Sequence, residues 1–153
     1  MSQPQNNFEV KAPTAVRWLG YGGLIPFLAL AAVCVLGVQP IAIFRAALIG
    51  YGAVILSFVG ALHWAFAMTN PGLSDEQRQN LYVWSVVPAL LAWPSLLLPI
   101  HLAVPLLILG FAAHYWQDQR LARHAQIAAW YLPMRWRLSS LAIISLGAAA
   151  VFA

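Results

Sequence analysis

Four ionisable side chains in this sequence have types and placement that suit chemistry: His63, His114, Asp118 and Arg135. Three of them sit in or beside long apolar runs, where an ionisable group is costly and needs a reason. His63, followed by Trp64, lies about one and a half turns before one end of an apolar stretch, and His114 about one turn before the end of another. The two therefore reach similar depth. Two imidazoles on facing helices suit a haem iron or a proton relay. Two neutral rings hydrogen-bonded to neighbouring helices fit the sequence as well. His101 falls near the opposite end and stays outside the pair.

Asp118 has no basic residue three or four positions ahead to pair with along its helix. Its partner must come from elsewhere, and Arg135, after the turn at Pro133, is the candidate. The alternative is a basic juxtamembrane loop in which Arg120, Arg123, Arg135 and Arg137 contact anionic lipid headgroups. Enzyme signatures are missing. There is no phosphate-binding loop, no H-E-x-x-H and no pair of carboxylates. Ser57 and His63 are six residues apart and face different sides of a helix, so they make no nucleophile and base. The single cysteine, Cys34, can build neither an internal disulfide nor a cysteine-rich metal site. No catalytic residue, metal ligand or cofactor is assigned.

The elements that position these residues follow from composition. Hydrophobic residues make up 62% of the 153 and charged residues 8%, against about 25% charged in a soluble domain. So few charges cannot cover a water-soluble surface, so the solvent is lipid. About 20 apolar residues cross a hydrocarbon core. The predicted fold is an all-α, polytopic transmembrane helix bundle with about five spans, over residues 18–37, 46–68, 81–99, 101–117 and 136–153. A polar N-terminal arm, 1–16, precedes the transmembrane domain, 17–153. The first span is too long for a cleaved leader. Ser74-Asp75-Glu76-Gln77 reads as a capping box that starts the third helix in water. Pro88 and Pro94 lie within that helix and are expected to kink it.

With five spans and a cytoplasmic N-terminus, Lys11, Arg17, Arg78, Arg120, Arg123, Arg135 and Arg137 fall inside and only Arg45 outside. This is a strong positive-inside bias. Arg45, near a helix end, is expected to snorkel. Tyrosines and tryptophans near the predicted helix ends form an interfacial belt. In the second span Ala53, Ser57, Ala61 and Ala65 recur every four residues, with Gly52 and Gly60 beside them. Small residues at this spacing read as a helix-packing stripe.

Several short motifs occur in a recognisable order: Gly20-Tyr21-Gly22-Gly23-Leu24-Ile25-Pro26-Phe27, Ser57 to Trp64, Asp118-x-Arg120, and Trp130-Tyr131-Leu132 with Arg135 and Leu138-Ser139. In this order the sequence resembles the family catalogued as domain of unknown function 3429, the transmembrane protein 69-like proteins. The family pattern places a proline two residues before the Trp-Tyr pair. Here that position is Ala128, which implies a differently shaped turn. The resemblance implies a membrane protein, singles out His63, Trp64, Asp118 and Arg135, and carries no activity.

The expected function is that of a non-enzymatic accessory, scaffold or assembly component of the bacterial inner membrane. Its partners would be the lipid bilayer, anionic lipids, and a membrane protein or a second copy of the chain, with no nucleic acid. A small carrier or proton path through His63 and His114 is the first alternative, and a haem- or quinone-associated redox protein the second.

Overall fold

The structure, a computed structural model, describes residues 11–151. Residues 1–10 of the expected arm, and Phe152 and Ala153 of the expected last span, lie outside the described residues. Six α-helices follow one another: α1 Thr14–Gly22, α2 Ile25–Val35, α3 Ile41–Thr69, α4 Asp75–Ser95, α5 Ile100–Leu121 and α6 Tyr131–Val151. No strand occurs among the described residues. Three stretches are long and apolar enough to cross a membrane: Thr14–Val35, Ile41–Thr69 and Ile100–Leu121. This is a multi-pass membrane protein.

The helix limits depart from the sequence reading where prolines and glycines act. The expected first span is two helices. Pro26 has no N–H to give the preceding turn, and the chain breaks at Gly23-Leu24. The Tyr51 hydroxyl donates to the Gly23 carbonyl at 2.8 Å and satisfies the break. Gly20 on α1 lies so close to Met134 of α6 that a β-carbon would collide with it. The expected third span runs to residue 99, but α4 stops at Ser95. Pro99 disfavours helical geometry at the residue before it, and tight bonds from Leu96 and Leu97 to Trp93 and Pro94 close the last turn. α5 carries Asp118 and Arg120 but ends before Arg123. α6 begins at Tyr131, with Pro133 in its first turn, where no intrahelical donor is needed.

The capping box at Ser74 is formed. The Gln77 N–H donates to Ser74 Oγ at 3.2 Å and the Ser74 N–H donates to Gln77 Oε1 at 2.9 Å. The packing stripe of α3 is only partly formed. Gly52, Ala53 and Gly60 are buried and Ser57 half-buried, with its hydroxyl bonded to the Ala53 carbonyl, whereas Ala61 and Ala65 are exposed. Positions four apart drift by about 40° per step around a helix of 3.6 residues per turn. A strictly four-spaced row therefore leaves the interface within three steps. The buried face instead runs through Gly52, Leu56, Gly60, His63 and Ala67. At Gly60 an added β-carbon would lie 2.8 Å from Cβ and Cγ of Pro88. Pro88 of α4 thus occupies the notch that Gly60 leaves, which joins α3 closely to α4.

The main core is apolar and centred on Phe27, Leu48, Leu56, Leu107, Phe111 and Leu146. A smaller cluster of Ala67, Leu73, Leu81 and Leu121 lies under the α3–α4 and α5–α6 connections. Those connections meet, because Asn70 Nδ2 donates to the Gln126 carbonyl at 3.2 Å. Arg78 clamps the same corner by donating to the carbonyls of Ala67 and Asn70.

Candidate functional site

Four helix termini converge at that end of the bundle, and a polar cluster lies beneath them. α3 contributes His63, α4 Trp84, α5 His114 and Asp118, and α6 Tyr131 and Arg135. His114 and Asp118 share a face of α5 because they are four residues apart, and Tyr131, Arg135 and Ser139 share a face of α6 for the same reason.

Asp118 is the hub. Arg135 Nε donates to its Oδ2 at 2.9 Å, and the Tyr131 hydroxyl donates to its Oδ1 at 3.1 Å. His63 Nε2 is 3.6 Å and His114 Nε2 3.8 Å from the same Oδ1, beyond hydrogen-bond reach. His63, His114 and Asp118 are completely buried. The imidazoles meet edge to face with centroids 4.7 Å apart. Trp84 Nε1 donates to His114 Nδ1 at 3.2 Å, the two rings nearly parallel. His63 Nδ1 and Nε2, His114 Nε2, Arg135 Nη2 and Ser139 Oγ are buried with no partner among the described residues.

One ligand atom each from His63, His114 and Asp118 lie within 4.8 Å of one another, a spacing that would suit a metal ion. The hydrogen bonds argue against it. A neutral imidazole that accepts at Nδ1 carries its proton on Nε2. Trp84 therefore turns His114 Nε2 into a donor facing Asp118, and a protonated nitrogen cannot ligate. Asp118 accepts one bond at each oxygen, from Tyr131 and from Arg135. A haem fits no better. Two axial histidines lie on opposite sides of the macrocycle, and rings in edge-to-face contact leave no room for one.

A chamber of about 630 Å³, open on one side where Leu19 and Phe58 are exposed, adjoins the cluster and is lined by α1, α2, α3, Phe111 of α5, the α5–α6 connection and α6. Its wall is apolar apart from Tyr131, Arg135 and Ser139. Phe58, Phe66 and Trp130 are among its lining residues, with Phe27 and Phe111 almost fully buried behind them.

The structure brings together His63, His114, Asp118 and Arg135 and leaves Trp64 outside. Trp64 is 49% exposed and rests edge-on against Tyr82. Arg135, assigned from sequence also to a lipid-facing basic loop, is withdrawn from that surface by its bond to Asp118, while Arg120, Arg123 and Arg137 are exposed. Sequence reasoning placed Trp84 and Tyr131 in an interfacial belt and missed their bonds to His114 and Asp118. The missed signal is spacing: Tyr131, Arg135 and Ser139 recur every four residues, as do His114 and Asp118.

Over residues 12–151 the chain matches the family described as "Protein of unknown function (DUF3429)". The chain belongs to the DUF3429 family. A related protein, "Transmembrane protein 69" of Xenopus tropicalis, is 38% identical over 143 residues, covering 88% of this chain and 53% of its own. The DUF3429 chain thus spans about half the length of the curated relative it matches. No solved structure matches it. Neither description assigns an activity.

Proposed function

We propose that this DUF3429 protein is a non-enzymatic, five-span accessory protein of the bacterial inner membrane that holds one lipid-soluble molecule inside its bundle. The chamber carries this reading. It is about 630 Å³, within the range of small-molecule sites, apolar nearly throughout, and polar at one wall only. An apolar molecule seated there would gain dispersion contacts along the lining.

The topology part rests on length and charge. α6 has 21 residues, about 31 Å of helix at 1.5 Å per residue, enough to cross a core about 30 Å thick, and the apolar part of α4 begins at Leu81, after its polar first turns. With a cytoplasmic N-terminus the exposed Arg120, Arg123 and Arg137 lie at the inner surface, beside anionic headgroups. The proton-path alternative has less support, because both histidines are sealed from solvent and neither hydrogen-bonds to Asp118.

The test is extraction of the protein in a mild detergent, delipidation of the surface by washing, and mass spectrometry of what stays bound. One apolar species near equimolar amounts is expected. It should be lost in Ala128→Trp, which fills the chamber from its wall. An equal yield from that variant, or no retained molecule at all, refutes the reading.

A further inference from the structure

We propose that Arg17, Tyr21 and Arg137 form a headgroup site for one anionic phospholipid, whose phosphate lies in the cleft between α1 and α6. The proposal rests on the inner-surface placement of Arg137 above and not on the chamber, which none of the three residues lines.

The two helices set the cleft. Arg17 and Tyr21 are four residues apart and share a face of α1. Gly20 brings α1 against Met134 and Leu138 of α6. Arg137 then comes beside Tyr21, and its Nη1 donates to the Tyr21 hydroxyl at 3.3 Å. All three side chains are exposed.

That bond decides what the cleft lacks. The Tyr21 oxygen accepts from Arg137, so its own O–H is left to donate, and both arginines only donate. The missing partner is an acceptor. No carboxylate supplies it, because every salt bridge among the described residues ends on the buried Asp118. Two guanidiniums without an acid call for an anion, and phosphate oxygens meet guanidinium in strong charge-assisted bonds. A zwitterionic headgroup would bring an ammonium beside these two cations, so a headgroup of net negative charge is favoured.

Depth identifies the source of the phosphate. Arg137 lies six residues into α6, about 9 Å along its axis at 1.5 Å per residue. On the same helix Trp136 and Ile144 are exposed to lipid. A guanidinium on such a face is costly unless it reaches the interface or meets an anion. Helical side chains tilt toward the N-terminus, so Arg17, Tyr21 and Arg137 all reach back toward the inner surface. Trp18 and Trp136 flank them, at the level where aromatic rings sit among headgroups. Lipid phosphate is the anion present at that level.

The experiment is native mass spectrometry of the full chain, released from detergent containing equimolar phosphatidylglycerol and phosphatidylethanolamine with identical acyl chains. One phosphatidylglycerol per chain is expected, retained about fivefold or more over phosphatidylethanolamine. Arg17→Gln/Arg137→Gln should lower that retention about tenfold or more. Tyr21→Phe should lower it about threefold; it removes one hydroxyl and no charge, and reads the same site if the double variant fails to fold. Arg120→Gln/Arg123→Gln, on the same surface but outside the cleft, should leave it nearly unchanged, and excess inorganic phosphate should not displace the lipid. Displacement by phosphate would make this a site for a soluble anion and overturn the lipid assignment. Retention unchanged in the cleft variants overturns the site; a fall in Arg120→Gln/Arg123→Gln instead would leave the inner-surface placement standing. Equal retention of the two lipids by the parent protein overturns both.

Discussion

Asp118→Asn keeps the shape of the side chain and removes its charge. In the folded chain this strands the Arg135 guanidinium, which is 6% exposed and has Asp118 as its only ion-pair partner among the described residues. Removing one partner of a buried pair costs about 3–5 kcal/mol, because the remaining charge stays out of water uncompensated. The Tyr131 hydroxyl can still donate to the amide oxygen, so its bond adds little to the loss. For a chain of 153 residues, each kcal/mol moves the midpoint about 2–4 °C, so the expected fall is on the order of 10 °C. Arg135→Met should cost a comparable amount by stranding the carboxylate. The double variant should recover most of either loss, since exchanging a buried pair for neutral groups is close to neutral or stabilising. Thermal unfolding of the detergent-solubilised protein, followed by tryptophan fluorescence, completes the double-mutant cycle. Asp118→Asn melting within about 2 °C of the parent would refute the reasoning. So would single losses that simply add in the double variant, which would mean that the two groups do not interact.

Other outcomes test the packing, the tautomer and the topology. Gly60→Val should push α4 off α3 at Pro88, at about 1–3 kcal/mol, whereas Gly147→Val, with nothing within 4 Å of its β-carbon, should leave the melting point nearly unchanged. Trp84→Phe removes the donor to His114 Nδ1 and should cost about 1–3 kcal/mol by leaving a buried acceptor unpaired; Trp64→Phe, on an exposed ring, should cost far less in the same melt. Compartment reporters fused to each end should place the N-terminus inside and the C-terminus outside, and reporters in one compartment would exclude an odd number of spans.

Composition made the solvent legible, and with it the helical class. So few charges on so many apolar residues leave no alternative to lipid. The capping box at Ser74 was legible because its two hydrogen bonds are local and need only the spacing of Ser74 and Gln77. The Asp118–Arg135 pair was legible by elimination, since an acid near a span with no helical neighbour to pair with must look across a turn. What escaped depends on rotation about the helix axis. The stripe from Ala53 to Ala65 looked continuous in one dimension, yet a four-residue step overshoots the helical repeat, so Ala61 and Ala65 face outward. Tyr131 and Trp84 were taken for belt residues because belt and site use the same residue types at the same depth. Only the partner atoms separate them: Asp118 Oδ1 for Tyr131 and His114 Nδ1 for Trp84. The close approach at Gly20 and the chamber beside it need α6 to be present, because Met134 and Tyr131 lie more than a hundred residues away in sequence.

The buried pair and the chamber are parts of one arrangement. An arginine inside a bundle in lipid has no water to solvate it, so it persists only beside a counter-charge. Asp118 supplies that counter-charge through Nε and so removes the net charge of the wall without using up the guanidinium. Nη2 is buried with no partner among the described residues. A lysine at the same place would offer a compact ammonium with three rotatable donors in place of a fixed planar fork. The planar fork of arginine is held at Nε by Asp118, which fixes the orientation of the whole guanidinium. The pair thus lets α5 and α6 carry two ionised groups inside the bundle with no net charge beside the apolar chamber.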